Sequence, residues 1–316
     1  MLWAYLIHLG YNMWEEKDAP VPELKEKPAE KYKKYYEHRN AKPYLRCDRK
    51  LFRELTAQMA KKGLNTVVID LGEGVKYESH PELAVRNAWT VKRLKAELAR
   101  LRKLGLEPIP KLNFATTHDE WLGPYSRCVS TDIYYGVCRD LLEEVSDIFD
   151  KPRFFHLGMD EETAAHQSRN LYAVMRQHQL WWDDLYFYIK QLEKQNVRPW
   201  VWSDYLWHYK EEFFKNMPKS VLQSNWYYGN VFRSTRLHVK AYLELEEKGY
   251  DQVPTGSNHS NDENFGLTVR YLKKRIPPER LKGFMNAPWR PTLPECRKEL
   301  KDAVKLSSRA KRENGY

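Results

Sequence analysis

Short apolar runs alternate with longer polar segments along the chain, and the junctions between them repeat. Four of these read KKGLNTVVIDL, KLGLEPIPKLNF, KQNVRPWVWSD and EKGYDQVPTGS. In each, a cationic segment is followed by Gly or Asn and then by an apolar run of strand length. Cations in a last helical turn complement the helix dipole, and Gly or Asn takes the left-handed conformation that ends a helix. Each junction is therefore a helix stop followed by a strand start. The segments before the first two carry apolar residues at helical spacing, Leu51, Leu55 and Met59 in one and Leu94, Leu98 and Leu101 in the other. Asp48 and Thr90 stand at their N-cap positions.

Carried through the chain, this punctuation predicts strands over residues 2–9, 65–71, 107–114, 153–159, 198–204, 220–226, 251–257 and 282–288. Eight strands with helices between them define an α/β fold of the (β/α)8 barrel type, in which the helix between the sixth and seventh strands fits within 235–248. A doubly wound open sheet is the alternative, but no GxGxxG follows the first strand. The reading makes residues 1–316 one barrel domain. A charged insertion at 15–44, too long for an ordinary βα connection, follows strand one. It is expected to be a surface insertion or a wall of the active-site face.

The net charge of +10, from 53 Lys and Arg against 43 Asp and Glu, changes this picture little. The basic residues are spread over helix-like segments, which points to solvated helix faces and away from a nucleic-acid stripe. No apolar stretch approaches the ~18 residues that span a membrane, so no membrane partner is expected. The opening MLWAYLIHLGYNMW lacks a basic n-region and runs straight into a strand, unlike a signal peptide. Cys47, Cys128, Cys138 and Cys296 form no CxxC pair and are read as packing residues, without a disulfide framework or metal site. No motif calls for a cofactor.

The predicted C-terminal strand ends carry the chemistry. They offer His8 and Tyr11; Asp70 and Glu73; Asn113 and His118; Asp160 and Glu161; Trp202 and Asp204; Trp226, Tyr227 and Tyr228; Ser257 and Asn258; and Asn286 and Trp289. Aromatic faces pack on the C–H face of a pyranose, while carboxylates and amides bind hydroxyls and supply acid–base chemistry, so the mixture suits a sugar. Within RFFHLGMDEET, strand alternation puts His156, Gly158 and Asp160 on one face and Phe155, Leu157 and Met159 on the other. Adjacent carboxylates in a partly dry pocket repel, which favours protonation of one and makes it a candidate general acid. Glu162 reads as an acidic residue in the first turn of a helix.

His156-Leu-Gly158-Met-Asp160-Glu161 resembles the strand-four signature His-x-Gly-x-Asp-Glu of glycoside hydrolase family 20, the β-N-acetylhexosaminidases, at every specified position. LNTVVIDLGEGVKYESHPEL is similar to that family's second strand and following loop, WSD to its fifth-strand Trp-x-Asp, QSNWYY to its sixth-strand Trp and NAPW to its eighth-strand segment. The resemblance implies a retaining hydrolase whose substrate's own 2-acetamido group attacks the anomeric carbon to form an oxazolinium. It implies that Asp160 orients the acetamido group and that Glu161 protonates the leaving oxygen and then activates water. Tyr227 or Tyr228 would bind the acetamido carbonyl, and Trp202, Trp226 and Trp289 would wall the pocket. Asp70, Glu73, Asn113, His118, His156 and Asp204 complete the implied substrate-binding set. The implied partner is an N-acetylhexosamine-containing glycan, in a periplasmic or secreted setting.

The sequence departs from the family at several points. The strand-one Arg has no counterpart in LIHLGYNMW, and the strand-three acidic motif appears as PKLNFATTH, with Lys111 and Asn113 in place of acids. Asp70 and Glu73 replace the family's His and Asp. Two alternatives stay open: a carbohydrate-binding barrel without turnover, and a metallohydrolase drawing on His118, His156, Asp160 or Glu161.

Overall fold

The structure, a computed structural model, describes residues 1–16, 38–168 and 170–316. Most of the insertion predicted at 15–44 lies outside the described residues. At its near end Glu15 and Asn40 form a parallel bridge, with the Ala41 N–H donating to the Glu15 carbonyl at 2.9 Å.

Eight parallel strands follow in chain order: β1 (Leu2–His8), β2 (Thr66–Asp70), β3 (Glu107–Lys111), β4 (Phe154–His156), β5 (Arg198–Trp202), β6 (Leu222–Ser224), β7 (Thr255–Gly256) and β8 (Gly283–Asn286). Consecutive strands pair from β1 to β6 and from β7 to β8, and β1 pairs with β8. Bridges Gln223–Gln252 and Trp226–Thr255 join β6 to the β7 side and close the ring. The fold is a (β/α)8 barrel, as the punctuation predicts.

The outer helices are α1 (Arg49–Lys61), α2 (Val91–Lys103), α3 (Asp132–Ile148), α4 (Gln179–Lys194), α5 (Lys210–Asn216), α6 (Leu237–Glu247), α7 (Asn264–Leu272) and α8 (Arg297–Glu313). Asp48 and Thr90 cap α1 and α2 through Leu51 N–H and Arg93 N–H. The four predicted helix stops, Gly63, Gly105, Asn196 and Gly249, all have positive φ, between 57° and 81°. The α6 helix falls inside the window allotted to it.

Strand alternation sorts β1 between two cores. Leu2, Ala4 and Leu6 enter the barrel lumen with Val68, Ile109, Trp200 and Met285. Trp3, Tyr5 and Ile7 face the helices. The strand register then aligns His8 with Asp70, Asp70 with Lys111 and Lys111 with His156. This buried polar layer lies at the C-terminal end of the lumen. Lys111 Nζ meets Asp70 Oδ2 at 2.6 Å, and His8 Nδ1 lies 3.4 Å from the same oxygen. Burial would raise the Asp70 carboxyl, but the Lys111 charge and the His8 hydrogen bond together outweigh it and hold the group below its ordinary range. Burial, reinforced by Lys111, pushes His156 well down and keeps it neutral. The layer is an internally neutralised floor for whatever stands above it.

Candidate active site

The β4 backbone leaves strand geometry right after His156. Gly158, Met159 and Glu161 have φ of 73°, 72° and 59°, so period-2 alternation does not carry on to Asp160. Gly158 is required here: a Cβ on it would meet Asn113 Oδ1 at 1.9 Å. The Asn113 carboxamide occupies that space and ties the turn together. Its Oδ1 accepts from the Ala115 and Met159 N–H groups at 3.0 and 3.2 Å, and its Nδ2 donates to Asp160 Oδ1 at 2.8 Å.

Glu161, left-handed without being glycine, is pinned from both sides. Its N–H donates to Asp204 Oδ2 at 2.8 Å, and its carbonyl accepts from the Thr117 hydroxyl at 2.7 Å. A non-glycine residue in this region costs about 1–3 kcal/mol, which such over-determination offsets. Glu162 does not begin a helix, contrary to the reading of the acidic run. Its carboxylate is buried against the Arg176 guanidinium and accepts from the Thr116 N–H at 3.1 Å.

His118 reaches both forward carboxylates. Its Nε2 lies 3.4 Å from Asp160 Oδ2 and 3.2 Å from Glu161 Oε2, while Nδ1 meets the Met13 carbonyl at 3.0 Å. His166 Nε2 lies 3.2 Å from the other Glu161 oxygen. Burial would lower the His118 imidazolium, but the charge and hydrogen bond of Asp160, with those of Glu161, lift it to about 10. Burial would likewise raise Glu161, yet the hydrogen bonds from His118 and then His166 outweigh it and hold this carboxyl below the usual range. Asp204 goes the other way: burial, then the charge of Asp160, pushes it up to about 8. Burial, with carboxylate repulsion behind it, thus favours a protonated Asp204, while the hydrogen bonds of His118 and His166 favour an ionised Glu161.

Above this polar group lies a cavity of about 160 Å³ lined by Trp14, Asp160, Glu161, Trp226, Tyr228, His259 and Trp289. Trp226 stacks on Tyr228 with ring centroids 5.0 Å apart, and Trp289 Nε1 donates to the Tyr228 hydroxyl at 2.9 Å. Burial raises the Tyr228 phenol well above its ordinary range, so it keeps a proton to donate.

Of the residues singled out from sequence, Asp160, Glu161, Trp226, Tyr228 and Trp289 meet in the cavity wall; Asn113 and His118 contact its carboxylates, and Asp204 accepts from the Glu161 N–H and, at 3.4 Å, from Trp226 Nε1. Trp202 lies beneath, its ring 5.8 Å from Trp289 and 4.4 Å from His156. The others stand elsewhere. Asp70 and His156 belong to the buried lumen layer. The Glu73 carboxylate accepts from Tyr11 N–H and Asn12 N–H at 2.7 and 3.1 Å, shaping the loop after β1. Tyr227 turns outward to Phe232 and His238, its hydroxyl on the Val231 carbonyl. Trp14, His166 and His259 were not singled out for the site; each lies in a connection beyond a strand end, the one signal that marks them.

Among the described residues, His118, Asp160 and Glu161 form the group whose ligand atoms, all within 4.8 Å of one another, could hold a metal ion. The His118 proton would have to leave first.

The paired carboxylates and the aromatic cavity thus meet at the C-terminal rim of a (β/α)8 barrel, the end at which barrel active sites are built. Solved structures similar to it include β-N-acetylhexosaminidases. Flavobacterium johnsoniae chitobiase matches at TM-score 0.60 and 17% identity, over 82% of this chain and 45% of that one. The Bacteroides fragilis β-N-acetylhexosaminidase matches at TM-score 0.61 and 12% identity, over 97% and 65%. A glycoside hydrolase family 20 exo-β-N-acetylglucosaminidase from Vibrio harveyi, solved with N-acetylglucosamine, matches at 0.60 and 14%, over 85% and 55%. The likeness is one of fold, and this chain spans 45–65% of the length of these three proteins. No protein-family model and no curated protein sequence matches the chain.

Proposed function

We propose that this protein is a retaining glycoside hydrolase of the β-N-acetylhexosaminidase kind, working through the substrate's acetamido group. The observation that carries the proposal is the convergence of Asp160 and Glu161, each held by its own partners, on one aromatic-walled cavity. In the first step, Asp160 accepts the acetamido N–H and stabilises the charge that develops as the acetamido oxygen bonds to the anomeric carbon. The Tyr228 hydroxyl, which accepts from Trp289 Nε1, donates its own proton to that oxygen in a hydrogen bond. The glycosidic C–O bond breaks as Glu161 gives its proton to the leaving oxygen. In the second step, Glu161 takes a proton from water, which opens the oxazolinium with net retention.

This role requires a protonated Glu161, whereas its hydrogen bonds to His118 and His166 favour the ionised form. His118 is the foremost of the groups that hold it so, its Nε2 lying 3.2 Å from Glu161 Oε2, and the acid is the fraction of Glu161 that takes up a proton from solvent against this pull. The protonated fraction of Glu161 falls as pH rises, which places the basic limb of kcat/KM on the acid side. His166 lowers Glu161 through a hydrogen bond, so His166→Gln raises it, and the limb moves to higher pH. A pH–rate profile in which the limb stays put or moves down would show that Glu161 is not the acid.

The deciding assay is hydrolysis of aryl N-acetylglucosaminide and N-acetylgalactosaminide, together with inhibition by a thiazoline analogue of the oxazolinium. Turnover and thiazoline inhibition are the expected results. Sugar binding without turnover would make the protein a lectin-like barrel. The metal-ligand spacing of His118, Asp160 and Glu161 favours a second reading, a metal-dependent hydrolase. Activity that survives chelation removes it.

A further inference from the structure

A cavity of about 20 Å³ lies between three connections of the C-terminal face: Glu15 and Glu16 after β1, residues 116–127 after β3, and residues 167–174 after β4. One water molecule needs roughly 10–15 Å³, so the space holds a single small occupant. The hydrolytic mechanism uses none of the acidic residues in its wall.

Two of those acids are answered within the protein and two are not. Glu15 pairs with Arg39 at 3.0 Å, and Glu16 with Arg127 at 2.7 Å. Asp119 and Glu120 form no ion pair among the described residues. Asp119 is the sharper case, because its side chain is 6% exposed and its Oδ2 receives no hydrogen bond from the protein. A buried carboxylate oxygen without a donor is costly. Asn170 Oδ1, buried in the same wall, receives none either. Arg176 is spent on Glu162 and Asp184. Burial accordingly pushes the Asp119 carboxyl well above its ordinary range; burial and then the Glu16 charge raise Glu120 to about 7.

The missing partner is small and electron-poor. A water molecule can donate to Asp119 and Asn170 but brings no charge, and two carboxylates stay uncompensated. A divalent cation supplies both. No His or Cys stands among the described residues of the wall, so the donors are oxygens, the ligands of a hard ion. Calcium takes six to eight oxygens in irregular geometry, whereas magnesium demands a near-ideal octahedron.

We propose that this cavity is a calcium site, with Asp119 Oδ2 and Asn170 Oδ1 as protein ligands and Glu16 and Glu120 supplying the surrounding negative charge. The site is independent of the hydrolytic reading and distinct from the His118, Asp160 and Glu161 group. The ion braces the connections that carry Trp14, His118 and His166 to the rim.

The test is thermal unfolding of the full chain in chelator-treated buffer, with calcium or magnesium chloride added at constant ionic strength. So few charged ligands place the calcium affinity near 10⁻⁴–10⁻³ M. At 10 mM, calcium is expected to raise Tm by roughly 2–6 °C, and magnesium to do less. Glu161→Gln should keep the rise, while Asp119→Asn and Asn170→Ala should lose it. Without metal, Asp119→Asn should melt no lower than the unaltered protein, because it removes a buried charge; a purely structural Asp119 would give a lower Tm. Absence of a calcium-dependent rise, an equal rise with magnesium, or a rise that Asp119→Asn keeps overturns the proposal. So does a rise lost in Glu161→Gln alone, which would place the ion at the His118 group. If Asp119→Asn does not fold, Asn170→Ala decides: loss of the rise supports the site, and its retention overturns it.

Discussion

Glu161→Gln is expected to lower kcat on an N-acetylhexosaminide with a poor leaving group by roughly 10²–10⁴-fold, the range general acid–base catalysis contributes. Folding and product binding should be retained. The substitution keeps the size of the side chain and its backbone ties, since the residue 161 N–H still reaches Asp204 and its carbonyl still accepts from Thr117. It removes the proton that the leaving oxygen needs and the base that water needs. The loss should shrink on a dinitrophenyl glycoside, whose departure needs little protonation. Added azide should restore part of the turnover and yield the β-glycosyl azide, because an anionic nucleophile needs no general base. His118 would keep Asp160 but lose Glu161, so its imidazolium should fall from about 10, a shift that proton NMR of the ring can follow. Near-normal turnover on the poor leaving group would remove Glu161 from the mechanism.

The barrel was legible because its signals are local. Gly63, Gly105, Asn196 and Gly249 end helices through their own backbone conformation, and the apolar runs behind them have no face to expose. The carboxylates were legible because a six-residue motif carries them, and Trp226 and Trp289 because each follows a separate strand. Past the last strand residue the period-2 rule fails. The backbone turns left-handed at Gly158, Met159 and Glu161, and nothing local says which of the adjacent Tyr227 and Tyr228 faces in. Asp70 and His156 have the right chemistry at the right place in the chain, but the strand register sets them beside Lys111 in the lumen, one layer below the cavity. Trp14 and His259 come from connections whose course depends on tertiary packing. The partner of Glu162 lies 14 residues on, in a segment with neither helical nor strand periodicity.

That partner carries the largest expected effect on stability: Arg176→Met should destabilise the fold by about 3–5 kcal/mol, the cost of breaking a buried ion pair by removing one side. Arg176 is 2% exposed and answers two buried carboxylates at once. Nε donates to Glu162 Oε2 at 3.2 Å, Nη1 to Asp184 Oδ2 at 2.8 Å and to the Tyr188 hydroxyl at 3.0 Å, and Nη2 to the Phe114 carbonyl at 2.6 Å. Asp184 also takes the Ser130 hydroxyl at 2.8 Å and the Tyr135 hydroxyl. Met fills much of the volume but leaves both carboxylates in low dielectric without a cation. Arg176→Lys supplies a charge yet cannot span Glu162, Asp184 and Phe114 with one planar fork, so it should recover only part of the loss. Because Glu162 adjoins Glu161, freeing it should also loosen the strained turn and lower kcat more than it raises KM. Denaturant unfolding of Arg176→Met alone and combined with Glu162→Gln and Asp184→Asn separates the causes. If uncompensated charge is responsible, the triple variant regains stability over the single one. A loss below about 1 kcal/mol for the single variant, the scale of an exposed pair, would mean that the guanidinium is not the anchor of the turn at Glu161.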